Sequence, residues 1–223
     1  MPVGQDSAPG RGTRTVVGSR WATGRIEAFS DGVFAIAITL LVLEIAVPRS
    51  ELGHGIGGEW PSYLAYATSF VTIGGLWMVH HGLFRRLQYA NSALMRINLA
   101  LLMAVSFLPF PTTLLAEAIT DSEAERAAVV FYGATLLVIS LLVSGLWGVA
   151  ARNRELLRPE VTDQEVNAIL VATTPSAGFY IGVIVLAIFA PQVAAFSYLV
   201  IGILIVLRAQ GDERGTPDAA GSA

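Results

Sequence analysis

The chain has 223 residues, 54% of them hydrophobic and only 14% charged, and its mean hydropathy is +0.62. Ordinary soluble domains carry about a quarter charged residues, so these values exclude that class and describe an integral membrane protein. A formal charge of −3 offers no nucleic-acid surface, and the absence of Cys excludes disulfides, thiolate metal sites and Cys nucleophiles.

Residues 1–20 are rich in Gly, Ser, Arg and Ala, have no apolar period, and read as a disordered tail. The first apolar segment, about 26–47, is too long for a cleaved signal, and no small-residue cleavage site follows Val47. It opens on Arg25-Ile26-Glu27-Ala28-Phe29-Ser30-Asp31, which runs directly into Gly32-Val33-Phe34-Ala35-Ile36-Ala37-Ile38-Thr39-Leu40-Leu41-Val42-Leu43. With about 1.5 Å of rise per residue, Asp31 lies roughly 8–9 Å inside a helix that starts near Arg25, and Ile36 falls near the bilayer midplane. A charge at that depth requires an aqueous path or a partner. Arg25 is on a different face, so the partners of Asp31 are expected on other helices. Ile36, Leu40 and Leu43 form one stripe with Thr39 beside it, and the small residues Gly32, Ala35 and Ala46 on the other side suggest close packing there. Glu44, near the outer end, is either a cation-attracting group at a mouth or an interfacial residue.

Five further segments are long enough to span at about 20 residues each: about 60–84, 94–118, 125–150, 166–189 and 192–208. Pro61 suits a first helical turn. Trp77, His80 and His81 fall near the end of the second segment, level with Ser30 and Asp31. Adjacent His residues diverge by about 100° on a helix, which argues against a metal site. Asn98 lies just inside the third segment, after Asn91 and Arg96, and Pro109 with Pro111 should kink that segment. Ser122-Glu123-Ala124-Glu125 and Thr162-Asp163-Gln164-Glu165 fit capping boxes before apolar runs. Pro191 separates the last two segments. Trp60, Tyr63, Trp147 and Tyr198 read as interfacial belt aromatics. Residues 209–223 read as a second disordered tail.

Arginine placement orients the spans. Arg11, Arg14, Arg20 and Arg25 precede the first. Arg85, Arg86 and Arg96 lie between the second and third, Arg152, Arg154 and Arg158 between the fourth and fifth, and Arg208 and Arg214 after the sixth. The other side has only Arg49 and Arg126, against Glu51, Glu59, Glu117, Asp121, Glu123 and Glu125. Both termini are therefore expected in the cytoplasm. No HExxH, GxSxG or Ser/His/Asp arrangement with an oxyanion hole is present, so an enzyme is not expected.

Arg25, Phe29, Ser30 and Asp31, followed by GVFAIAITLLVLEI, resemble the signature of the transmembrane protein 175 family, endolysosomal potassium channels and their bacterial relatives. The resemblance implies an all-α domain of six transmembrane helices over residues 21–208, without a TVGYG filter, and none occurs here. A single motif copy implies the bacterial form: one repeat per chain, a homotetramer, and a bacterial cell membrane. The first helix would line the pore, with Ile36, Leu40 and Leu43 as its constriction and Thr39 adding a hydroxyl ring. Arg25, Phe29, Ser30 and Asp31 would hold that helix through contacts with Trp77, His80, His81 and Asn98. The implied function is a potassium-permeable leak channel, with potassium as conducted ion and no cofactor. The rivals are a secondary transporter or proton-coupled exchanger using Asp31 and His80 or His81, and a non-transporting scaffold.

Overall fold

The computed structural model describes residues 21–44, 60–118 and 122–214, and nearly all of them are helical. Helix α1 spans Gly24–Leu40 and tightens into a 3-10 turn at Leu41–Glu44. Then come α2 (Trp60–Arg86), α3 (Ser92–Phe107), α4 (Pro109–Ala118), α5 (Ser122–Arg152), α6 (Asp163–Phe189) and α7 (Pro191–Arg214). Two short strands, β1 (Trp21–Ala22) and β2 (Tyr89–Ala90), pair antiparallel.

The helix boundaries follow local chemistry. Asn91 caps α3 by accepting from the Leu94 N–H at 2.9 Å. Thr162 caps α6 in the same way, accepting from the Glu165 N–H at 3.2 Å. The expected box is only half made, because the Glu165 carboxylate turns away to Arg86. Pro109 and Pro111 bring no N–H to the carbonyls of Val105 and Phe107, so the third segment is not one kinked rod but two helices, α3 and α4, meeting at Leu108. Only Ala190 separates α6 from α7, and Pro191 takes the first helical position, where it loses no bond. The last helix continues six residues beyond the expected end, to Arg214. Residues 209–214, expected in the second disordered tail, are thus helical; Val47, residues 1–20 and residues 215–223 lie outside the described residues.

Four stretches are long and apolar enough to cross a membrane among the described residues: Gly24–Leu43, Ser92–Ala118, Ala124–Arg152 and Pro191–Ala209. Helix α2 reaches 27 residues but falls outside that set, and α6 contributes the apolar stretch Ala177–Phe189. In α2 the reason is polar content turned inward: Thr68, Ser69, Thr72 and His80 are all buried. Hydropathy counts such residues as costs, whereas the bundle supplies them with partners.

The core lies between α2, α3, α4, α5 and α7, with α6 packed on α5 and α7. Tyr132, Tyr198 and Trp147 are buried in it, so Trp147 and Tyr198 are core residues and not the interfacial aromatics suggested by their type. Both α2 and α7 run in the same direction, with Gly75 against Ile205 and Gly202 against Thr72. At one end of the bundle the connections carrying arginine meet. The strand before α1 pairs with the α2–α3 connection, Leu87 bridges Leu157, and Arg86 reaches Glu165 at 2.7 Å.

Candidate functional site

Helix α1 packs chiefly on α2 and α3, and its 3-10 turn packs on α2 and α4. The inward face consists of Ser30, Phe34, Ala37 and Leu41, each at most 2% exposed, at spacings of four, three and four residues. That is the face a helix must bury to dock on a bundle. The reading of Gly32 and Ala35 as the packed side is therefore corrected: both are exposed, and a side chain added at Gly32 would meet open space. Phe34 and Leu41 fill the seam between α1 and the bundle, where they make van der Waals contacts that a glycine cannot supply. Ala46 lies outside the described residues.

The opposite face carries the apolar stripe. Ile36 is 62% exposed, Leu40 40% and Leu43 74%. In a 3-10 turn, side chains three apart eclipse one another, so tightening after Leu40 sets Leu43 directly above it. Thr39 is on the same side, and its hydroxyl donates back to the carbonyls of Ala35 and Ile36 at 3.0 and 2.9 Å. Its oxygen lone pairs stay available to the space the stripe faces.

The base of α1 is tied down by two sets of polar contacts. In the buried set, His80 Nε2 lies 2.8 Å from Asn98 Oδ1, Asn98 Nδ2 donates to Ser30 Oγ at 3.0 Å, and Ser30 donates to the Ile26 carbonyl at 2.9 Å. Because an amide oxygen only accepts, this arrangement puts the imidazole proton on Nε2. The His80 ring packs between Phe34 and Phe84, at centroid distances of 5.3 and 4.4 Å. In the outer set, Trp77 Nε1 donates to Asp31 Oδ1 at 2.9 Å. Trp77 stacks on His81, whose Nδ1 lies 3.2 Å from Glu27 Oε1, an ion-pair distance without hydrogen-bond alignment.

The structure thus brings Ser30 together with Asn98 and His80, and Asp31 together with Trp77 and, through it, His81. Glu27 is a member that sequence reasoning passed over; its position one turn before Asp31 was the available signal. Arg25 is exposed, and no hydrogen bond or ion pair to its side chain occurs among the described residues. Phe29 is likewise exposed. The side chain of Glu44 lies outside the described residues. Among the described residues, no three His, Asp or Glu side chains converge as a metal site would require.

Residues 25–109 match the family model described as endosomal/lysosomal potassium channel TMEM175. A potassium channel of Streptomyces collinus is 43% identical over 143 residues, 62% of this chain and 69% of that protein. A potassium channel of Chamaesiphon minutus is 41% identical over 192 residues, 83% of this chain and 94% of that one. The fold matches the crystal structure of a lysosomal potassium-selective channel TMEM175 homolog from the same organism, with a TM-score of 0.76 and 40% identity. That match covers 84% of this chain and 97% of the other.

Proposed function

The chain belongs to the TMEM175 potassium channel family, and from that premise we propose that it is a potassium-permeable leak channel built around α1. Four copies assemble with α1 of each against a central axis, so that Ile36, Leu40 and Leu43 form stacked apolar rings and Thr39 a hydroxyl ring between them. Each chain contributes six membrane-crossing units: α1, α2, the broken α3–α4 rod, α5, α6 and α7. Both termini lie in the cytoplasm of a bacterial cell, on the side where the arginine-bearing connections meet. Glu44 stands at the outer mouth.

The observation that carries this reading is the two-sided character of α1. Its inner face is fastened to α2 and α3 by buried polar contacts, while the chain leaves Ile36, Leu40 and Leu43 uncovered. Rings of Ile and Leu supply no oxygens to replace an ion's hydration shell, so they gate by dewetting when narrow. When wider, they favour the cation that sheds water more easily, potassium over sodium. The arginine-rich end supports the orientation, since arginine accumulates on the cytoplasmic side.

Recordings from the purified full chain in planar bilayers under bi-ionic potassium and sodium test the assignment. Ile36→Asn places an amide ring at the constriction and should lower the potassium-to-sodium permeability ratio about fivefold, on the order of 1 kcal/mol. Reversal potentials identical to the wild type would sink the assignment of Ile36 to the constriction.

A further inference from the structure

Behind α1, at the junction of α3 and α4, lies a second polar cluster separate from the Ser30–Asn98–His80 set. The prolines at 109 and 111 interrupt the helical ladder there by leaving the carbonyls of Val105 and Phe107 without their i+4 donors, and the hydroxyls of the two following threonines add bonds to the next two carbonyls, those of Leu108 and Pro109. Thr113 Oγ1 donates to the Pro109 carbonyl at 3.2 Å. Thr112 Oγ1 donates to the Leu108 carbonyl at 2.8 Å, beside the Thr112 N–H at 3.2 Å. Thr112 Oγ1 is also 2.7 Å from Ser69 Oγ, which is 3.0 Å from the Tyr132 hydroxyl. All three side chains are buried. Each hydroxyl has one proton. With the Thr112 proton on Leu108, Ser69 donates to Thr112 and Tyr132 donates to Ser69. The result is a directed chain from α5 through α2 to the carbonyl at the helix break.

The break matters because of what α4 touches. It packs on α2, on α5 and on the 3-10 turn that ends the first helix. Leu41, the first residue of that turn, is fully buried, while Leu43, two residues on, is the most exposed member of the apolar stripe. The geometry points to Thr112, with Ser69 and Tyr132, as positioning residues for the outer constriction: they hold the α3–α4 break at one angle, and α4 sets the 3-10 turn that presents Leu43. This rests on the reading of α1 as the pore helix. The chemistry suits the task. A buried hydroxyl chain has few equivalent arrangements, whereas apolar contacts alone would let a helix end freed by two prolines slide.

Thr112→Val keeps the shape and removes the hydroxyl, so it deprives Ser69 of its acceptor and Leu108 of one of its two donors. Thr112→Ser keeps the hydroxyl. The full chain carries no Cys, so Leu43→Cys is a unique thiol at the proposed outer ring. In bilayers, Thr112→Val should change unitary conductance by about twofold or more, and should change the modification rate of Leu43→Cys by an impermeant charged thiol reagent about fivefold, the scale of one lost buried hydrogen bond. Thr112→Ser should restore both. These are properties of each open channel, and a loss of folded protein alone does not move them. Should Thr112→Val fail to fold, Ser69→Ala is read in the same two ways and should shift both in the same sense. A conducting wild type with unchanged conductance and Leu43→Cys reactivity in these variants overturns the positioning role alone. A silent wild type overturns both it and the channel reading.

Discussion

Asn98 uses both ends of its amide, the oxygen toward His80 at 2.8 Å and the nitrogen toward Ser30 at 3.0 Å. One side chain on α3 thereby joins α1 to α2. Truncation by Asn98→Ala leaves the His80 Nε2–H buried without an acceptor and the Ser30 oxygen without its donor, a loss of about 1–3 kcal/mol. The variant should unfold at a clearly lower denaturant midpoint in detergent, and a midpoint equal to wild type would contradict the role given to Asn98. Asp31 is placed differently, at half-exposure with Trp77 as donor. The amino-acid order made the need for partners legible, because an acid and a Ser near the start of an apolar helix require them. It also supplied the candidates Trp77, His80, His81 and Asn98. The pairing was not legible. Ser30 and Asn98 are 68 residues apart and Asp31 and Trp77 are 46 apart, and no local period links such separations.

The same division runs through the helices. Local punctuation acts on backbone groups within a few residues: Pro191 and the Thr162 cap were legible in the amino-acid order, whereas the Asn91 cap, which starts α3 at Ser92, was not. Which face of α1 turns inward depended on the shapes of α2 and α3, and there small residues do not mark the packed side: Phe34 and Leu41 fill the contact, not Gly32 and Ala35. Where a glycine does mark close approach, the structure shows it by the atoms nearby. A Cβ added at Gly133 on α5 would collide with the Tyr198 hydroxyl of α7 and would stand 2.8 Å from Ile184 Cγ1 of α6. Gly133→Ala should therefore destabilise the bundle by about 1–3 kcal/mol. Gly178→Ala, at a position with open space around it, serves as the control in the same unfolding titration and should stay near wild type.

For the whole molecule, the issue is whether ions cross through a continuous path or by an exchange cycle. A channel lets potassium run down either gradient without a fixed proton count, so liposomes loaded with potassium should release it into sodium medium at a rate insensitive to a collapsed pH gradient, once a separate ionophore sets the voltage. Strict coupling of each potassium to protons would favour the exchanger. Composition by itself determined the membrane class, because a mean hydropathy of +0.62 and 14% charge cannot cover a soluble surface. Arginine placement marked which connections share an end, and in the structure the start of α1 and the α2–α3 and α5–α6 connections do meet there through β1–β2 pairing and the Leu87–Leu157 bridge. Tertiary structure alone decided that α2 hides its polar residues inside the bundle, that Trp147 and Tyr198 belong to the core, and that the third segment breaks over a hydroxyl chain. It also decided that Ser30 meets Asn98 and Asp31 meets Trp77 while Arg25 stays exposed. The physical reason is range. Hydropathy, capping and charge bias act along a few residues of chain, whereas burial and hydrogen-bond pairing depend on neighbours that only the packed bundle brings into contact.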